Sequence, residues 1–509
     1  MDWADAPLDQ QDHEGPHRHG AGPRAYPGSD GMITAMSVPT AVETNALNTI
    51  DESERRGSPR SLFWPWFAAN VSVLGLGYGS YLLGFGVSFW QAVVIGIVGI
   101  VASFLFCGFI SLAGKRGSAP TMVLSRAAFG VRGNKLPSLL SWILTVGWET
   151  VLVALATLAT STVLGALGWG GGTVTKVVAL VVVAGIVVAA GVFGFDLVMR
   201  LQVIITVLTA VLTVVYIILV ADHVDWATVA AIPAGGAPQV IGGLVFMMTG
   251  FGLGWVNMAA DYSRYLPRSA SGPRIVGWTT LGASLAPVVL LVFGLLLAGS
   301  DPDLNEAIGA DPIGALSTLL PTWFLIPFVV VALAGLIGGA ALDIYSSGLA
   351  LLSLGLPAPR WVAAAIDGGL MIVGAVYVVF VADSFIGPFQ GFLITLGVPV
   401  AAWCGVLLAD ILLRRRDYAD ADLYDAAGRY GSVNWPAVLL VLAGTAVGWG
   451  LVTNTYAPWL AWQGYLLGPL GGVDGNWGWA NLGVLVALAI GFAGTLLLSA
   501  RVVRRQEER

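Results

Sequence analysis

The sequence has 509 residues, of which 57% are hydrophobic and only 11% are charged, and its formal net charge is −6. Soluble globular domains carry roughly 25% charged residues, so this composition excludes an ordinary soluble protein. At about 20 apolar residues per crossing, the chain has room for about a dozen membrane-spanning helices. Its two cysteines, Cys107 and Cys404, both lie in apolar segments, which excludes a disulfide framework and a cysteine metal cluster.

The first 60 residues differ in composition from the rest of the chain. They hold three of the four histidines and most of the polar low-complexity sequence. No apolar segment follows Met1 closely enough to form a signal peptide. The composition therefore predicts a disordered cytoplasmic tail over residues 1–60.

From residue 61 onward, long uncharged stretches alternate with short polar breaks, which predicts an all-α polytopic membrane protein. Cutting the stretches at their Gly, Pro and polar breaks gives twelve predicted helices, which we number in chain order. They cover residues 63–86, 89–112, 137–166, 174–193, 198–220, 239–259, 275–298, 322–353, 362–382, 388–413, 435–453 and 480–500.

Lysine and arginine residues fall almost wholly in alternate loops of this arrangement. The basic loops precede helices 3, 7, 9 and 11, whereas the opposite loops carry Lys176 and otherwise mainly acids such as Asp301 and Asp311. Cytoplasmic loops of membrane proteins are enriched in Lys and Arg. We therefore predict a multi-pass protein of the cell membrane with both termini in the cytoplasm.

Two glycine-rich segments occupy matching positions in the two halves of the chain. Helix 1 contains GLGYG at 75–79, and helix 6 contains GFGLG at 250–254. Glycine weakens a helix by about 1 kcal/mol relative to alanine, and unwound backbone persists in a membrane only where it lines a polar cavity. Such pairs indicate a transporter binding site, an interpretation that Asn70 and Ser72 of helix 1 support. The alternative is that these glycines only permit tight helix packing.

An offset of five helices between the two segments makes the two halves inverted in the membrane. The first five-helix repeat then covers 61–220, and the second covers 239–413. The remaining segments are a cytoplasmic loop at 414–434, helices 11 and 12 at 435–500, and a cytoplasmic tail at 501–509.

Two carboxyl groups fall well inside predicted helices, where an ionisable side chain is costly and indicates function. Glu149 lies in helix 3 beside Trp148, and Asp343 lies in helix 8. At helical spacing Asp343, Ser346 and Ser347 share one face. We interpret Asp343 as a substrate or ion ligand. Glu149 fits either that role or a buried, hydrogen-bonded structural role.

Trp148 and Trp255 come from the two different halves of the chain. An indole has a flat, polarisable face, and an apolar pocket with a few polar groups suits a planar heterocycle. The chain has 19 tryptophans, and many of them serve as anchors at the membrane interface. Both interpretations remain open for these two residues on the pattern alone.

Six segments, in the right order over most of residues 61–460, resemble the nucleobase:cation symporter-1 family and, within it, the purine-cytosine permease branch. They read WFAANVSVLGLGYG from residue 66, GKRGSAPTMVLSRAAFGVRGNKLP from 114, GWET from 147, GWVNMAADYSRYLP from 254, LDIYSSGL from 342 and GRYGSVNWPA from 428. Each segment is a weak signal alone, but the six in this order are specific.

The resemblance implies a LeuT-like fold with an inverted repeat of five plus five helices and two further C-terminal helices. It implies import of cytosine or a purine, together with H⁺ or Na⁺, by alternating access. In this family the ring stacks on aromatic side chains of helices 3 and 6, which here are Trp148 and Trp255. The polar residues expected to bind the ring edge are Asn70, Ser72, Asp343 and Gln390.

The sequence departs from the family at two positions. Leu152 stands where members often carry an amide, and Asp343 stands where asparagine is usual. A Na⁺ site in this fold needs carbonyl oxygens of helix 1 and side-chain oxygens of helix 8, but residues 338–342 offer no hydroxyl or amide. Since desolvation favours the protonated form of a buried carboxyl, we predict H⁺ coupling ahead of Na⁺. The candidate residues for ion coupling are Asp343, Glu149, Asn70, Val73, Ser346 and Ser347.

Other functions fit the sequence less well. The nearest alternative is a symporter for allantoin, hydantoin, uracil or a thiamine-like ring. An intramembrane enzyme needs a set such as His-Glu-x-x-His, but His223 is the only histidine after residue 60. A channel needs repeated filter-like loops, and the sequence has none. We therefore predict a monomeric transporter in the lipid bilayer that is not an enzyme, needs no cofactor and binds no nucleic acid.

Overall fold

The computed structural model describes residues 49–193, 195–355, 359–454 and 458–508. Within these ranges all regular structure is helical, as the sequence predicts. The predicted disordered tail lies outside the described residues as far as residue 48.

Helices occupy all twelve predicted positions. Helix 1 consists of Phe63–Asn70 and Leu74–Leu83, and helix 6 consists of Ala237–Gly250 and Gly252–Trp255. Helices 2 to 5 and 7 to 12 are Phe89–Gly117, Lys135–Ala166, Thr173–Phe193, Phe195–Val220, Gly272–Ser300, Thr322–Ser353, Arg360–Val376, Ile386–Leu413, Trp435–Trp449 and Gly483–Leu498. Among the described residues, nine helical segments, in helices 2 to 10, are long and apolar enough to cross a membrane. Helices 1, 11 and 12 are shorter or broken, and the whole is compatible with twelve crossings.

The ends of helix 2 show how local chemistry sets the limits of these elements. At its start, Ser88 Oγ accepts a hydrogen bond from the Gln91 amide at 3.4 Å, and Gln91 Oε1 accepts one from the Ser88 amide at 3.0 Å. This reciprocal pair satisfies two backbone donors that a helix start leaves free. At its end, Ser118 takes a left-handed conformation with φ 53°, which stops the helix.

Two short helices between helices 7 and 8 were not predicted from the sequence. Pro302–Ala310 and Pro312–Ser317 each begin with proline and follow an aspartate. Asp301 Oδ1 accepts from the Asp303 amide at 2.9 Å, and Asp311 Oδ1 accepts from the Gly314 amide at 2.9 Å. Two of the acids in this predicted outer loop therefore cap helices.

The loops that carry most of the lysine and arginine meet at one end of the helical bundle. We call this the basic end and define it by loops 115–134, 260–271 and 414–434. Arg268 joins these loops, since it donates to the carbonyl of Arg116 at 2.8 Å and pairs with Asp417 and Asp420 at 3.2 Å each. The predicted number of helices places these three loops on the same side of the membrane, and in the structure they lie at the same end of the helical bundle.

The predicted disorder does not extend over residues 49–60, because this segment packs on the basic end. The Arg55 guanidinium is buried and donates to the carbonyls of Lys115 at 3.0 Å and Leu266 at 2.8 Å, and to the hydroxyl of Ser118. Glu52 pairs with Arg268 at 2.7 Å, and this hydrogen bond lowers the pKa of Glu52. The composition resembles that of a tail, but the arginine finds backbone acceptors on two loops.

The helices pack in three groups. Helices 1, 2, 6 and 7 pack mainly on one another, as do helices 3, 4, 5, 8 and 9, while helices 10, 11 and 12 form a third group. The first and second groups face each other across the cavity described next.

Candidate functional site

A cavity of about 480 Å³ lies between the broken helices 1 and 6 on one side and helices 3, 5 and 8 on the other. Both helix breaks contribute to its wall, as do both candidate tryptophans. The structure therefore brings together residues that are far apart in sequence and that the two halves contribute separately.

Helix 1 breaks at residues 71–73, just before the glycine triplet. Val71 is extended, with φ −82° and ψ 95°, and Ser72 Oγ accepts a hydrogen bond from the Leu74 amide at 3.3 Å. Asn70 closes the first half, where its Nδ2 donates to the carbonyl of Trp66 at 2.9 Å. Residues 70–73 line the cavity. The end of a helix leaves carbonyl groups without intrahelical partners, and here that end lies at the cavity wall.

The glycines of helix 1 are helical, so the interpretation that they unwind the helix is wrong for this triplet. They lie within Leu74–Leu83. A Cβ at Gly79 would overlap the backbone of Gly294 and Leu295 in helix 7, and a Cβ at Gly75 would lie 2.9 Å from a side-chain methyl of Leu290. The alternative interpretation, that glycine permits tight packing, is correct here.

Helix 6 breaks inside its glycine triplet. Phe251 departs from helical geometry, with φ −118° and ψ −108°. The next residue, Gly252, lies so close to helix 2 that a Cβ would overlap the backbone of Ser103. Its amide donates to Ser103 Oγ at 3.0 Å, so the exposed backbone of the break is satisfied by a side chain.

Trp148 and Trp255 both line the cavity and are partly exposed to it. Trp148 meets Phe389 edge to face at 5.8 Å between ring centroids, and its indole lies against Gly254, where a Cβ would be 3.2 Å from Nε1. Trp255 packs against Trp66 at 6.1 Å. Each indole is thus held by other groups while part of it remains open to a ligand.

Asp343 is the carboxyl group of helix 8 on the cavity wall. No hydrogen bond or ion pair with another described residue engages it. Ser346 also lines the cavity, but its hydroxyl donates to the carbonyl of Leu342 in its own helix at 3.1 Å. Asp343 is therefore available to a ligand or a proton.

Several further polar residues line the cavity and were missed from the sequence, and three of them are close to the candidate residues. These three are Ser141 and Thr145 of helix 3 and Asn257, which follows the broken part of helix 6. Asn257 Nδ2 donates to Ser141 Oγ at 3.0 Å, whereas Asn257 Oδ1 is buried without a hydrogen-bond partner among the described residues. An amide side chain two positions after Trp255 was the available signal.

Three predicted site residues do not reach the cavity. Gln390 is buried in helix 10 and is not among the described residues of the cavity wall. Glu149 and Ser347 lie behind the wall, where the Ser347 hydroxyl contacts Glu149 Oε1 at 2.6 Å and Asp367 Oδ2 at 2.9 Å. Asp343 and Ser347 therefore have different neighbours although they lie one helical turn apart: Asp343 lies at the cavity, and Ser347 lies between two buried carboxyl groups.

The two ends of the cavity differ. Toward the basic end, its wall continues through Pro120, Asp261 and Arg264. Toward the opposite end it stops at buried rings that we call the aromatic layer, namely Tyr78, Tyr81, Phe246, Phe251, Phe385 and Phe389. The Tyr78 hydroxyl donates to the carbonyl of Gly250 at 3.1 Å, which ties the layer to the break of helix 6.

Comparison with solved structures shows the fold. The chain is similar to Mhp1, a nucleobase-cation-symport-1 family transporter solved in a closed conformation with bromovinylhydantoin bound. The TM-score is 0.65 at 19% identity, over 92% of this chain and 99% of Mhp1. This likeness confirms the predicted all-α polytopic fold of the LeuT-like class.

Comparison of sequences shows the family. The chain is 28% identical to the cytosine permease of Escherichia coli over 377 residues, which cover 72% of this chain and 80% of that one. It is 24% identical to the purine-cytosine permease FCY2 of Saccharomyces cerevisiae over 469 residues, which cover 86% of this chain and 82% of that one. The family described as permease for cytosine/purines, uracil, thiamine, allantoin matches residues 49–471. The protein therefore belongs to this family of membrane permeases, which are transporters and not enzymes.

Proposed function

We propose that this protein imports cytosine or a purine across the cell membrane by alternating access, with H⁺ as the coupling ion. The observation that carries the proposal is the cavity between the two helix breaks. It presents two partly open indoles and one carboxyl group that no described residue engages.

A planar nucleobase fits the chemistry of this wall. Trp148 and Trp255 offer faces for stacking, and stacking on an aromatic side chain contributes about 1–3 kcal/mol per base. Cytosine has an amino donor beside a ring acceptor. Asp343 can accept from the amino group, while the amides of Asn70 and Asn257 can complete the ring edge. The names of the bacterial and yeast relatives support cytosine and purines as the substrate class.

Proton coupling rests on the oxygen atoms that helix 8 brings to the cavity. The helix 8 residues on the wall with side-chain oxygens are Asp343, Tyr345 and Ser346, whereas Ser347 contacts Glu149 and Asp367 instead. A Na⁺ site would have to combine these groups with carbonyls near Asn70 and Val73. A single carboxyl group that takes up and releases a proton needs no such set of ligands.

The wall of the cavity supports an inward-open conformation. If the basic end faces the cytoplasm, as its Lys and Arg content favours, the cavity extends toward the cytoplasm and the aromatic layer closes the outside. We further propose that the protein works as a monomer, since the cavity is built by one chain.

Uptake of labelled cytosine into proteoliposomes tests the proposal. We expect saturable uptake that follows an imposed pH gradient, and competition by unlabelled cytosine or a purine. Uptake that requires a Na⁺ gradient and ignores the pH gradient would contradict proton coupling. Competition only by allantoin, hydantoin or uracil would contradict the substrate; hydantoins belong in this panel because Mhp1 was solved with one bound.

Two variants and a matched control locate the site. Trp148→Ala should weaken apparent affinity about 10- to 100-fold, in line with the loss of one stacking contact. Asp343→Asn should abolish uptake against a gradient. Thr150→Val changes helix 3 beside Glu149, but the Thr150 hydroxyl donates its hydrogen bond to the carbonyl of Val146 in the same helix and the side chain packs on Gly374, where valine has the same shape. Uptake should therefore persist. Unchanged uptake by Asp343→Asn would remove Asp343 from the mechanism.

A further inference from the structure

A buried group of polar side chains lies behind the cavity wall, where helices 3, 8 and 9 meet. The Ser347 hydroxyl stands between two carboxyl groups, 2.6 Å from Glu149 Oε1 and 2.9 Å from Asp367 Oδ2. All three side chains are fully buried. On the far side, Trp142 Nε1 donates to Asp367 Oδ1 at 2.7 Å.

The number of hydrogens in this group can be counted. Ser347 has one hydroxyl hydrogen, yet its oxygen lies within hydrogen-bond distance of two carboxyl oxygens. Two oxygen atoms at such distances attract each other only if a hydrogen lies between them. The hydroxyl can donate to one carboxyl, so the other must donate to the hydroxyl. If the hydroxyl instead donates to the carbonyl of Ile344 at 3.3 Å, both carboxyls must carry hydrogens.

The surroundings indicate which carboxyl holds the proton. Asp367 receives the indole N–H of Trp142, a contact that favours its ionised form. Glu149 Oε2 is buried with no hydrogen-bond partner in the described part of the chain, which favours a neutral side chain. The arrangement is therefore Glu149 O–H to Ser347 Oγ, and Ser347 O–H to the carboxylate of Asp367.

No basic side chain that the structure describes pairs with the group. None of the ion pairs formed by described residues includes Glu149 or Asp367. A further titratable group that interacts with Glu149 is Asp343 of helix 8, and Tyr262 of loop 260–271 interacts with Asp343 in turn. Helix 4 packs on helix 9 and, over its described length, has Lys176 as its charged residue, which interacts with Asp311 at the end opposite the basic end. Two buried carboxylates that share one hydroxyl repel each other, so retention of one proton is favourable.

We propose that Glu149, Ser347 and Asp367 form a one-proton site behind the cavity wall, which exchanges its proton with Asp343 during transport. Exchange with Asp343 balances without a co-reactant, because the proton that Glu149 loses is the proton that the carboxylate of Asp343 gains. A transfer within the site also balances. The proton of Glu149 passes to Ser347 Oγ as the hydroxyl hydrogen passes to Asp367, which leaves Glu149 ionised and Asp367 neutral. The role in transport rests on the proposed function, whereas the presence of the proton does not.

Infrared difference spectroscopy of the purified protein in lipid tests the proton itself. Asp343→Asn serves as the background, so that Asp343 contributes no signal. At neutral pH we expect a protonated-carboxyl signal that exchanges with deuterium and that disappears in Glu149→Gln. Asp367→Asn should shift its frequency, because the new amide N–H donates to Ser347 and changes the hydrogen bond between that hydroxyl and Glu149. A signal that is absent from the background, or insensitive to both substitutions, overturns the proposal.

Transport measurements test the role of the proton. With one H⁺ per substrate, a gradient of one pH unit supports about tenfold accumulation. We expect Asp367→Asn to lose this accumulation while it still exchanges labelled for unlabelled substrate across the membrane. Thr150→Val is the matched control and should keep both activities. Normal accumulation by Asp367→Asn would overturn the coupling role, as would loss of exchange in a well-folded sample.

A second substitution protects the test against misfolding. Ser347→Ala removes the hydroxyl but keeps both carboxyls, and it should lose accumulation as Asp367→Asn does. If wild-type protein carries no nucleobase at all, the proposed function fails, but the infrared result still decides whether the one-proton site exists.

Discussion

The two broken helices carry almost the same glycine pattern, but they use it differently. In helix 1 the break at 71–73 precedes the triplet, and the glycines lie in regular helix against helix 7. In helix 6 the break at Phe251 falls inside the triplet, and Gly252 packs against the backbone of Ser103. In both segments a glycine allows the helix backbone to approach the backbone of a neighbouring helix closely. In these two helices glycine therefore predicts close helix packing more reliably than it predicts an unwound segment.

The strongest test of this comparison is Gly252→Ala. The new Cβ would overlap the backbone of Ser103, which cannot rotate away as a side chain can. We expect a loss of about 3 kcal/mol or more, seen as a large fall in melting temperature of the purified protein. A variant as stable as wild type would show that the backbone at the helix 6 break can shift to accommodate the new Cβ at little cost.

Ser103→Ala tests how the helix 6 break is stabilised. The substitution leaves the buried amide of Gly252 without its acceptor at 3.0 Å, which costs about 1–3 kcal/mol. Thermal unfolding should show a drop smaller than that of Gly252→Ala. Ser111→Ala in the same helix is the control, since Ser111 donates its hydroxyl to carbonyls rather than accepting from an amide at the break.

Ser72→Ala makes the corresponding change at the helix 1 break. The hydroxyl accepts from the Leu74 amide at 3.3 Å in a partly exposed position, so we expect a loss of only about 0.5 kcal/mol, at the low end for a cap. A drop in melting temperature equal to that of Ser103→Ala would mean that both breaks depend on a side-chain acceptor to the same extent.

Gly75→Ala should have the smallest effect. Its Cβ would lie 2.9 Å from Leu290 Cδ1, which can rotate away, and 3.0 Å from Leu290 Cβ, which must give by a few tenths of an ångström. This cost is offset because alanine favours a helix over glycine by about 1 kcal/mol. We expect a stability close to that of wild type. Gly79→Ala in the same helix is the matched contrast, because it meets the backbone of Gly294. Equal behaviour of the two variants would contradict the distinction between backbone and side-chain neighbours.

Much of the fold could be predicted because the bilayer imposes it. Uncharged stretches of the necessary length gave the positions of all twelve helices, and the basic residues grouped the loops that meet at Arg268. The short helices Pro302–Ala310 and Pro312–Ser317 were missed because they lie outside the bilayer pattern and depend on capping by Asp301 and Asp311. The packing of residues 49–60 was missed because it depends on distant acceptors for Arg55.

The candidate site could be predicted only in part. Trp148, Trp255 and Asp343 lie on the cavity wall, as their polar or aromatic character in membrane helices indicates. Asp367 received no role from the sequence, because its position near the start of helix 9 suggested nothing about Glu149. Helical spacing also placed Ser347 with Asp343, but helices 3 and 9 both pack on helix 8 and direct Ser347 to their own carboxyls.

The contact between helix 1 and helix 7 has a mechanical consequence. A Cβ at Gly79 would overlap Gly294 and Leu295, and a Cβ at Gly294 would overlap Leu76. With no side chains between them to reorient, these two backbones interlock and resist sliding. The first half of helix 1 approaches helix 7 in the same way, since a Cβ at Gly282 would overlap the backbone of Phe63. We therefore expect both halves of helix 1 to move with helix 7 rather than to pivot at the break.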